Sequence, residues 1–484
     1  MKRTAKLTTT LLLLAGLLAS CGGTASTGGN TTASTGDTTT EAPETGLAAS
    51  FTPELKTSLG LEDYVVNVFL RDPSDMWSNP DIYMESETGD VLDDAVYKRN
   101  LYLEETYGFT IEAGYSAETS GSGLDTLVLS GDETYDIAFP SARMAATYAQ
   151  KGVLLDLYNL DYIDFDNSVW NKMFNDTLTF GGKLFFATGD ITVNSYQSVR
   201  GFMFNKGLAD KYKLDDPYTL VDSGKWTLDN FNKMCTAAAA DLNGDSKMDI
   251  TDQWGMAWQD WMSGLIFYYG AGEMMVDMDK NHLPVVSVGD ERSLEVFEGV
   301  KKMMADTDTY YLGTDAEILE AFQSGRSLFF AEALIHAASM RTSDVEFGIL
   351  PVPKYDEKQE NYVNFADGWC ISPVVVPNSV KSAERAGFII EALAEASSQI
   401  VKPAYYDICL EGKYIRDEES SKMLDLIFGN FVLDNGDVYQ WSGLMESIRA
   451  AFRSQASLTT IVASGKTALE KEIEKTIEAY EDIQ

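Results

Sequence analysis

Apolar and polar positions change period several times along the chain, and each change marks an element. Residues 64–70 (YVVNVFL) form a short, nearly continuous apolar run, the pattern of a buried strand. Residues 94–107 repeat apolar positions at helical spacing and predict an amphipathic helix. Residues 109–115 (FTIEAGY) and 135–140 (YDIAFP) predict two further strands, with a helix over 123–130 between them. A β-α-β-α-β order predicts an open, mostly parallel sheet covered by helices. Further on, Thr227 is placed as a helix N-cap, with Trp226 set to staple onto Phe231. Residues 347–353 (FGILPVP) and 369–376 (WCISPVVV) predict strands, and 384–398 predicts a strong helix. A terminal helix over 466–480 carries Leu469, Ile473, Ile477 and Tyr480 on one face.

The first fifty residues follow no such pattern. Lys2, Arg3 and Lys6 precede LLLLAGLLA at 11–19, an apolar run too short to span a bilayer, and the two together have the form of a secretory leader. A Gly/Ser/Thr-rich segment follows Cys21, with no aromatic or long aliphatic residue before Leu47. Such a segment buries too little surface to fold, and predicts a tether over 21–50 with a root-mean-square reach of roughly 30 Å. The remaining residues, 51–484, suffice for two or three cores, and hold no later apolar run long enough to cross a membrane.

Composition removes several function classes. Asp and Glu number 75 against 37 Lys and Arg, a formal charge of −38, so nucleic acid and anionic lipid are repelled rather than recruited. After Cys21 only Cys235, Cys370 and Cys409 remain, without a CxxC pair; no zinc site or disulfide framework is indicated, and one disulfide stays open. The two histidines, His282 and His336, offer little material for catalysis and read as structural or surface residues.

One stretch has a chemical signature. In DLNGDSKMDITD (241–252), oxygen-bearing side chains fall at positions 1, 3, 5, 9 and 12 of a twelve-residue loop: Asp241, Asn243, Asp245, Asp249 and Asp252. Position 7, Lys247, would add its backbone carbonyl, which completes the donor spacing of an EF-hand-type calcium loop. Two departures weaken it. Ser246 stands at position 6, where glycine normally makes the left-handed turn, at a cost of about 1 kcal/mol; Asp252 has a shorter reach than the usual glutamate. Both predict a weak structural Ca2+ site, with a dissociation constant on the order of 10⁻⁴ to 10⁻³ M. The flank QWGMAWQDW is not an amphipathic helix, and the loop is single and mid-chain, so neither a sensor helix pair nor a dockerin is predicted.

Two resemblances organise the rest. Leu18-Ala19-Ser20-Cys21 resembles the lipobox of bacterial lipoproteins, which implies a signal peptide over 1–20, lipidation at Cys21 and anchoring at the extracellular face of the cell membrane. YDIAFPSARMAATYAQKGVLLDL, GGKLFFATGDI and GFMFNKGLADKYKLDDPYTLVDSGKWTLDNF resemble extracellular solute-binding proteins of ABC importers, of the large maltose-binding-like class. AFQSGRSLFF, DVEFGILPVPKYDE, ISPVVVPNS and GKYIRDEESSKMLDLIF continue the likeness in order. The resemblance implies an α/β, two-lobe periplasmic-binding-protein-like (type II) fold with a ligand cleft between the lobes. It places the first lobe at 51–190 and 372–401 and the second at 191–371 and 402–484, and implies ABC permease subunits as partners.

A sugar presents apolar faces and a rim of hydroxyls, so its site needs flat aromatic platforms and fixed polar groups. The candidates are Trp258 and Trp261 near the second lobe's strands, Trp369 beside Asp367, and Trp441, where the family often supplies a stacking aromatic. Asp190 falls where the family's hinge acid binds hydroxyls, and Arg143 follows the third strand, at the end where open α/β sheets bind ligands. The reading is therefore a non-enzymatic receptor for a sugar or oligosaccharide. The alternatives are an extracellular carbohydrate-active hydrolase or a surface adhesin; 75 acids make a catalytic carboxylate pair easy to propose and so uninformative.

Overall fold

The computed structural model describes residues 46–74, 76–78, 81–259, 262–340, 343–410 and 418–483. The leader, the tether up to residue 45, Cys21 and Trp261 lie outside the described residues.

The early strands form as predicted. β1 (Val65–Leu70) pairs in parallel with β2 (Thr110–Tyr115) on one side and β3 (Ile137–Phe139) on the other, in the order β2-β1-β3. The helix between β1 and β2 is longer than its apolar pattern. It spans Val91–Tyr107, because Asp90 caps it by accepting from the Leu92 amide at 2.9 Å and Gly108 ends it at φ +87°. Its core face carries Arg99 and Asn100, both buried, which blurs the periodicity. Arg99 Nη1 donates to Ser397 Oγ at 3.0 Å, tying this helix to the long helix Ala383–Leu410.

The second sheet is built around two fully buried strands, β4 (Val199–Asn205) and β9 (Ser327–Ala333), which run antiparallel. β5 (Trp254–Gln259) lies parallel to β9 and to β8 (Tyr310–Gly313). On the other flank of β4, β10 (Phe347–Leu350) pairs with its C-terminal half and β11 (Asn364–Ala366) with its first residues; β12 (Phe431–Val432) closes that edge. A separate hairpin joins β6 (Val276–Met278) to β7 (Pro284–Val286). Thr227 caps the helix Leu228–Ala238, and the fully buried Trp226 packs edge-on to Phe231 at 5.9 Å while donating to the Pro351 carbonyl at 2.8 Å. The staple read from the sequence is present.

Three elements differ from expectation. Residues 369–376 are not a strand: only isolated antiparallel bridges form, Val374 to Ala187 and Val375 to Ala138. Pro373 lacks the amide a ladder needs, and Ser372 is engaged by side chains instead. The helix expected over 384–398 continues to Leu410 with Pro403 inside it, so the boundary expected at 401/402 falls within one helix. The terminal helix spans Leu458–Glu481, with Leu469, Ile473 and Tyr480 buried. Its C-terminal half is held by the first lobe: Lys183 Nζ donates to the Tyr480 carbonyl at 2.7 Å, and Phe185 packs on the Tyr480 ring at 5.0 Å.

Candidate functional site

The C-terminal ends of β1 and β3 point their following loops at the segment that joins the two sheets. Arg71, next after β1, is fully buried. Its Nη1 donates to the Trp77 carbonyl and to Ser372 Oγ, both at 3.1 Å, and its guanidinium lies 5.5 Å from the centre of the Trp369 ring. Asn194, on the first crossing, accepts from the Ser372 amide at 2.7 Å. Trp77 meets His336, from the helix that follows β9, edge-on at 5.7 Å. Both tryptophans are only half-buried. One flat aromatic face, Trp369, therefore lies over a fixed guanidinium, and a second, Trp77, is held nearby through its carbonyl and against His336, the mixture of platforms and oriented polar groups that a polar, C–H-rich ligand needs. Burial lowers the His336 pKa, so its ring is neutral at neutral pH.

Ion pairs surround this junction. Arg200 on β4 and Glu332 on β9 form a pair with each side chain 1% exposed. Burial opposes the Arg200 charge most strongly, but Glu332 and the other acidic groups nearby, Asp367 among them, together raise the Arg200 pKa. Arg143 opens the first-lobe helix Ala142–Gln150 and reaches two fully buried carboxylates. Its Nε and Nη2 donate to Asp437 Oδ1 at 3.1 and 2.5 Å, and Nη2 lies 3.3 Å from Asp367 Oδ1. Asp367 also accepts from the Trp369 amide at 2.7 Å, which fixes the backbone beneath that ring.

The sequence and the fold match a known class. A family model described as bacterial extracellular solute-binding protein matches residues 100–401. The chain belongs to the bacterial extracellular solute-binding proteins. Similar solved structures are binding proteins of the same architecture. An ABC substrate-binding protein from Listeria monocytogenes in complex with cycloalternan aligns at TM-score 0.55 and 15% identity, over 86% of this chain and 100% of that one. A cyclo/maltodextrin-binding protein complexed with maltotetraose aligns at 0.58 and 12%, over 85% and 98%. The GacH receptor of Streptomyces glaucescens, studied with acarbose, aligns at 0.52 and 15%, over 87% and 98%. A search of curated proteins with the sequence found no match.

Within this solute-binding protein the expected ligand residues separate into three groups. Trp369, Asp367 and Arg143 do come together at the junction, joined by Trp77, Arg71, His336 and Asp437, which sequence reasoning did not select. Asp190 is close by but occupied: it is 2% exposed, accepts from Tyr196 Oη at 2.5 Å and pairs with Lys402 Nζ at 2.9 Å. It links the first crossing to the long helix, and its carboxylate is a hinge clamp rather than an open hydroxyl binder. Trp441 and Trp258 are packing residues. Trp441 is 3% exposed, stacks on Tyr439 at 4.6 Å and donates to Thr476 Oγ1 at 2.9 Å. Trp258 is 1% exposed and stacks on Tyr310 at 5.0 Å within the second sheet. Both faces of β5 are covered, so every residue on it, Trp258 included, is inside whichever way it points.

The acidic loop has the turn its pattern predicted. Ser246 sits at φ +65° and Gly244 at φ +77°. Asp241 accepts from the Gly244 and Ser246 amides at 2.6 and 2.8 Å, Asn243 from Asp245, Asp245 from Lys247, and Asp249 from Thr251, each at 2.8 Å. Asp252, fully buried, accepts from the Leu242 and Asp249 amides at 2.9 Å. The donor types suit calcium, but the side chains are folded onto the loop's own backbone. Among the described residues no three His, Cys, Asp or Glu side chains converge as a metal cluster. Cys235 and Cys370 are buried and free.

Proposed function

We infer that this protein is the membrane-anchored extracellular receptor of an ABC importer and binds a sugar or oligosaccharide between its lobes without altering it. The observation that supports this most is the half-buried Trp369 ring over the Arg71 guanidinium, with the half-buried Trp77 beside it, its carbonyl accepting from Arg71 and its ring against His336. The sugar ligands named for the structural neighbours favour the same class of solute. A thermal-shift screen against mono- and oligosaccharides tests it: a ligand at about 100 times its Kd adds roughly 2.7 kcal/mol of stability. A panel in which amino acids or peptides shift the melt and no saccharide does would reject the sugar reading.

Anchoring rests on Cys21 and the leader before it. Cys21→Ala is expected to move the protein from the membrane fraction to the medium with its fold intact, and a variant that still sediments with membranes would contradict the lipoprotein reading. Calcium is proposed as a structural ion of the 241–252 loop, supported by the donor spacing and by the left-handed turn at Ser246. Melting temperature should rise between excess chelator and millimolar calcium, and Asp241→Ala with Asp245→Ala should remove that rise. No difference in the native protein would leave an acidic turn held by its own hydrogen bonds.

A further inference from the structure

A cavity of about 300 Å³ lies between the short helix Lys172–Leu178 and the β6–β7 hairpin, and shares no lining residue with the junction of Trp77, Trp369 and Arg71. Met173 lines it from the helix, with Thr177 one turn on and so on the same face. Met278 lines it from β6, with Val276 two residues before it on the same face of that strand, and Met274 leads into the strand along the same wall. His282, from the turn of the hairpin, completes the wall. The hairpin is fixed against the facing segment on both sides of that turn residue. The His282 carbonyl accepts from the Gly181 amide at 2.9 Å, and His282 Nδ1 donates to the Asp176 carbonyl at 3.3 Å.

The chemistry of that wall is selective. A carbonyl oxygen only accepts, so Nδ1 of His282 carries the proton and the Nε2 lone pair is left for a ligand, the arrangement that orients a metal-binding imidazole. A thioether is a soft, neutral donor on a side chain with three rotatable bonds, which adapts to the geometry an ion asks for. The carboxylates in the wall are engaged locally. Asp176 pairs with Lys172 at 3.1 Å, Asp277 accepts from the Met278 amide at 2.8 Å, and Asp279 accepts from the Asn281 and Leu283 amides at 2.7 and 2.9 Å. They give the cavity a negative field that favours a cation, while its uncommitted donors are sulfur and imidazole nitrogen. Hard cations prefer oxygen, and thioether with imidazole favours copper(I).

We propose that this cavity is a binding site for a soft monovalent cation, copper(I), held by Met173 from the helix and by Met274, Met278 and Nε2 of His282 from the hairpin. Met173 is 40% exposed, and Met274, Met278 and His282 are half-buried, so an ion reaches the donors from solvent without unfolding either segment. No electron is transferred: the ion enters as copper(I) and displaces water. The site is independent of which solute the junction binds.

The test is anaerobic titration of the full chain against copper(I) held by the chromogenic chelator bathocuproine disulfonate, repeated with zinc(II) present. The protein should withdraw one copper(I) per chain from the chelator, and zinc(II) should not prevent it. Met173→Leu and His282→Asn each remove one donor and are each checked for a cooperative melt. The first conserves volume, and the second keeps a residue that tolerates the left-handed backbone at φ +56°. Each should weaken copper(I) binding by about tenfold or more, since even an outer-shell partner of a metal contributes that much. Met248→Leu, in the separate cavity beside Trp254, should bind as the native protein does. The thiols are the same in all four proteins, so a difference in affinity belongs to the cavity. Copper(I) that stays with the chelator, or is displaced by zinc(II), overturns the proposal. So does uptake undiminished in whichever of the two donor variants folds.

Discussion

Arg200→Met is expected to lower the stability of the protein by about 3–5 kcal/mol, because it leaves the Glu332 carboxylate buried without its guanidinium. The two side chains are each 1% exposed and join the two strands at the centre of the second sheet, β4 and β9. Glu332 keeps one internal donor, the Ala333 amide at 2.9 Å, which is far from replacing a cation. The companion variant Arg200→Met with Glu332→Leu removes both charges and should recover most of the loss, since a buried pair replaced by apolar groups is often neutral. Chemical denaturation of both variants decides it. If the single variant loses less than about 1 kcal/mol, the pair is reached by water and is not the buried charge couple described.

Trp441→Ala is expected to cost a similar amount, about 3–5 kcal/mol, by opening a cavity in a packed core. The ring lies 5° from parallel with Tyr439, and Tyr439 Oη in turn shares a hydrogen bond of 2.7 Å with Tyr480 Oη. Loss of the indole also strips Thr476 Oγ1 of its donor at 2.9 Å, on the helix that docks to the first lobe. The contrast is Trp369→Ala, where the ring is half-buried and the fold should melt almost as before. Equal melting temperatures for Trp441→Ala and the native protein would return Trp441 to the ligand cleft.

These two tryptophans illustrate what the sequence could and could not carry. Local signals translated well: the strands Val65–Leu70, Thr110–Tyr115 and Ile137–Phe139, the Thr227 cap with its Trp226 staple, and the left-handed residue at Ser246 all follow from spacing and side-chain type. Each is decided within a few residues. The site depends on contacts across long sequence distances, such as Arg143 with Asp437 and Arg71 with Ser372, and no periodicity reports them. An aromatic residue in a loop reads the same whether a neighbouring helix covers it, as at Trp441, or leaves one side toward solvent, as at Trp369. Asp190 misled for a related reason. A carboxylate at a hinge is chemically suited to hydroxyls, but Lys402, more than two hundred residues away, already holds it. Trp77 and Arg71 were findable: Arg71 directly follows the first strand, at the end where such sheets place ligands, and Trp77 stands a few residues on.

The central claim is that the junction holding Trp77, Trp369 and Arg71 receives a saccharide and releases it unchanged. Calorimetric titration of the purified protein with a series of oligosaccharides, with the sugar analysed afterwards, addresses it most directly. The account predicts saturable binding of at least one sugar at one site per chain, full recovery of the intact sugar, and binding about thirtyfold weaker in Trp369→Ala, the equivalent of roughly 2 kcal/mol for a lost stacking platform. A sugar recovered cleaved, or a sugar bound with undiminished affinity by Trp369→Ala and Trp77→Ala alike, would contradict it.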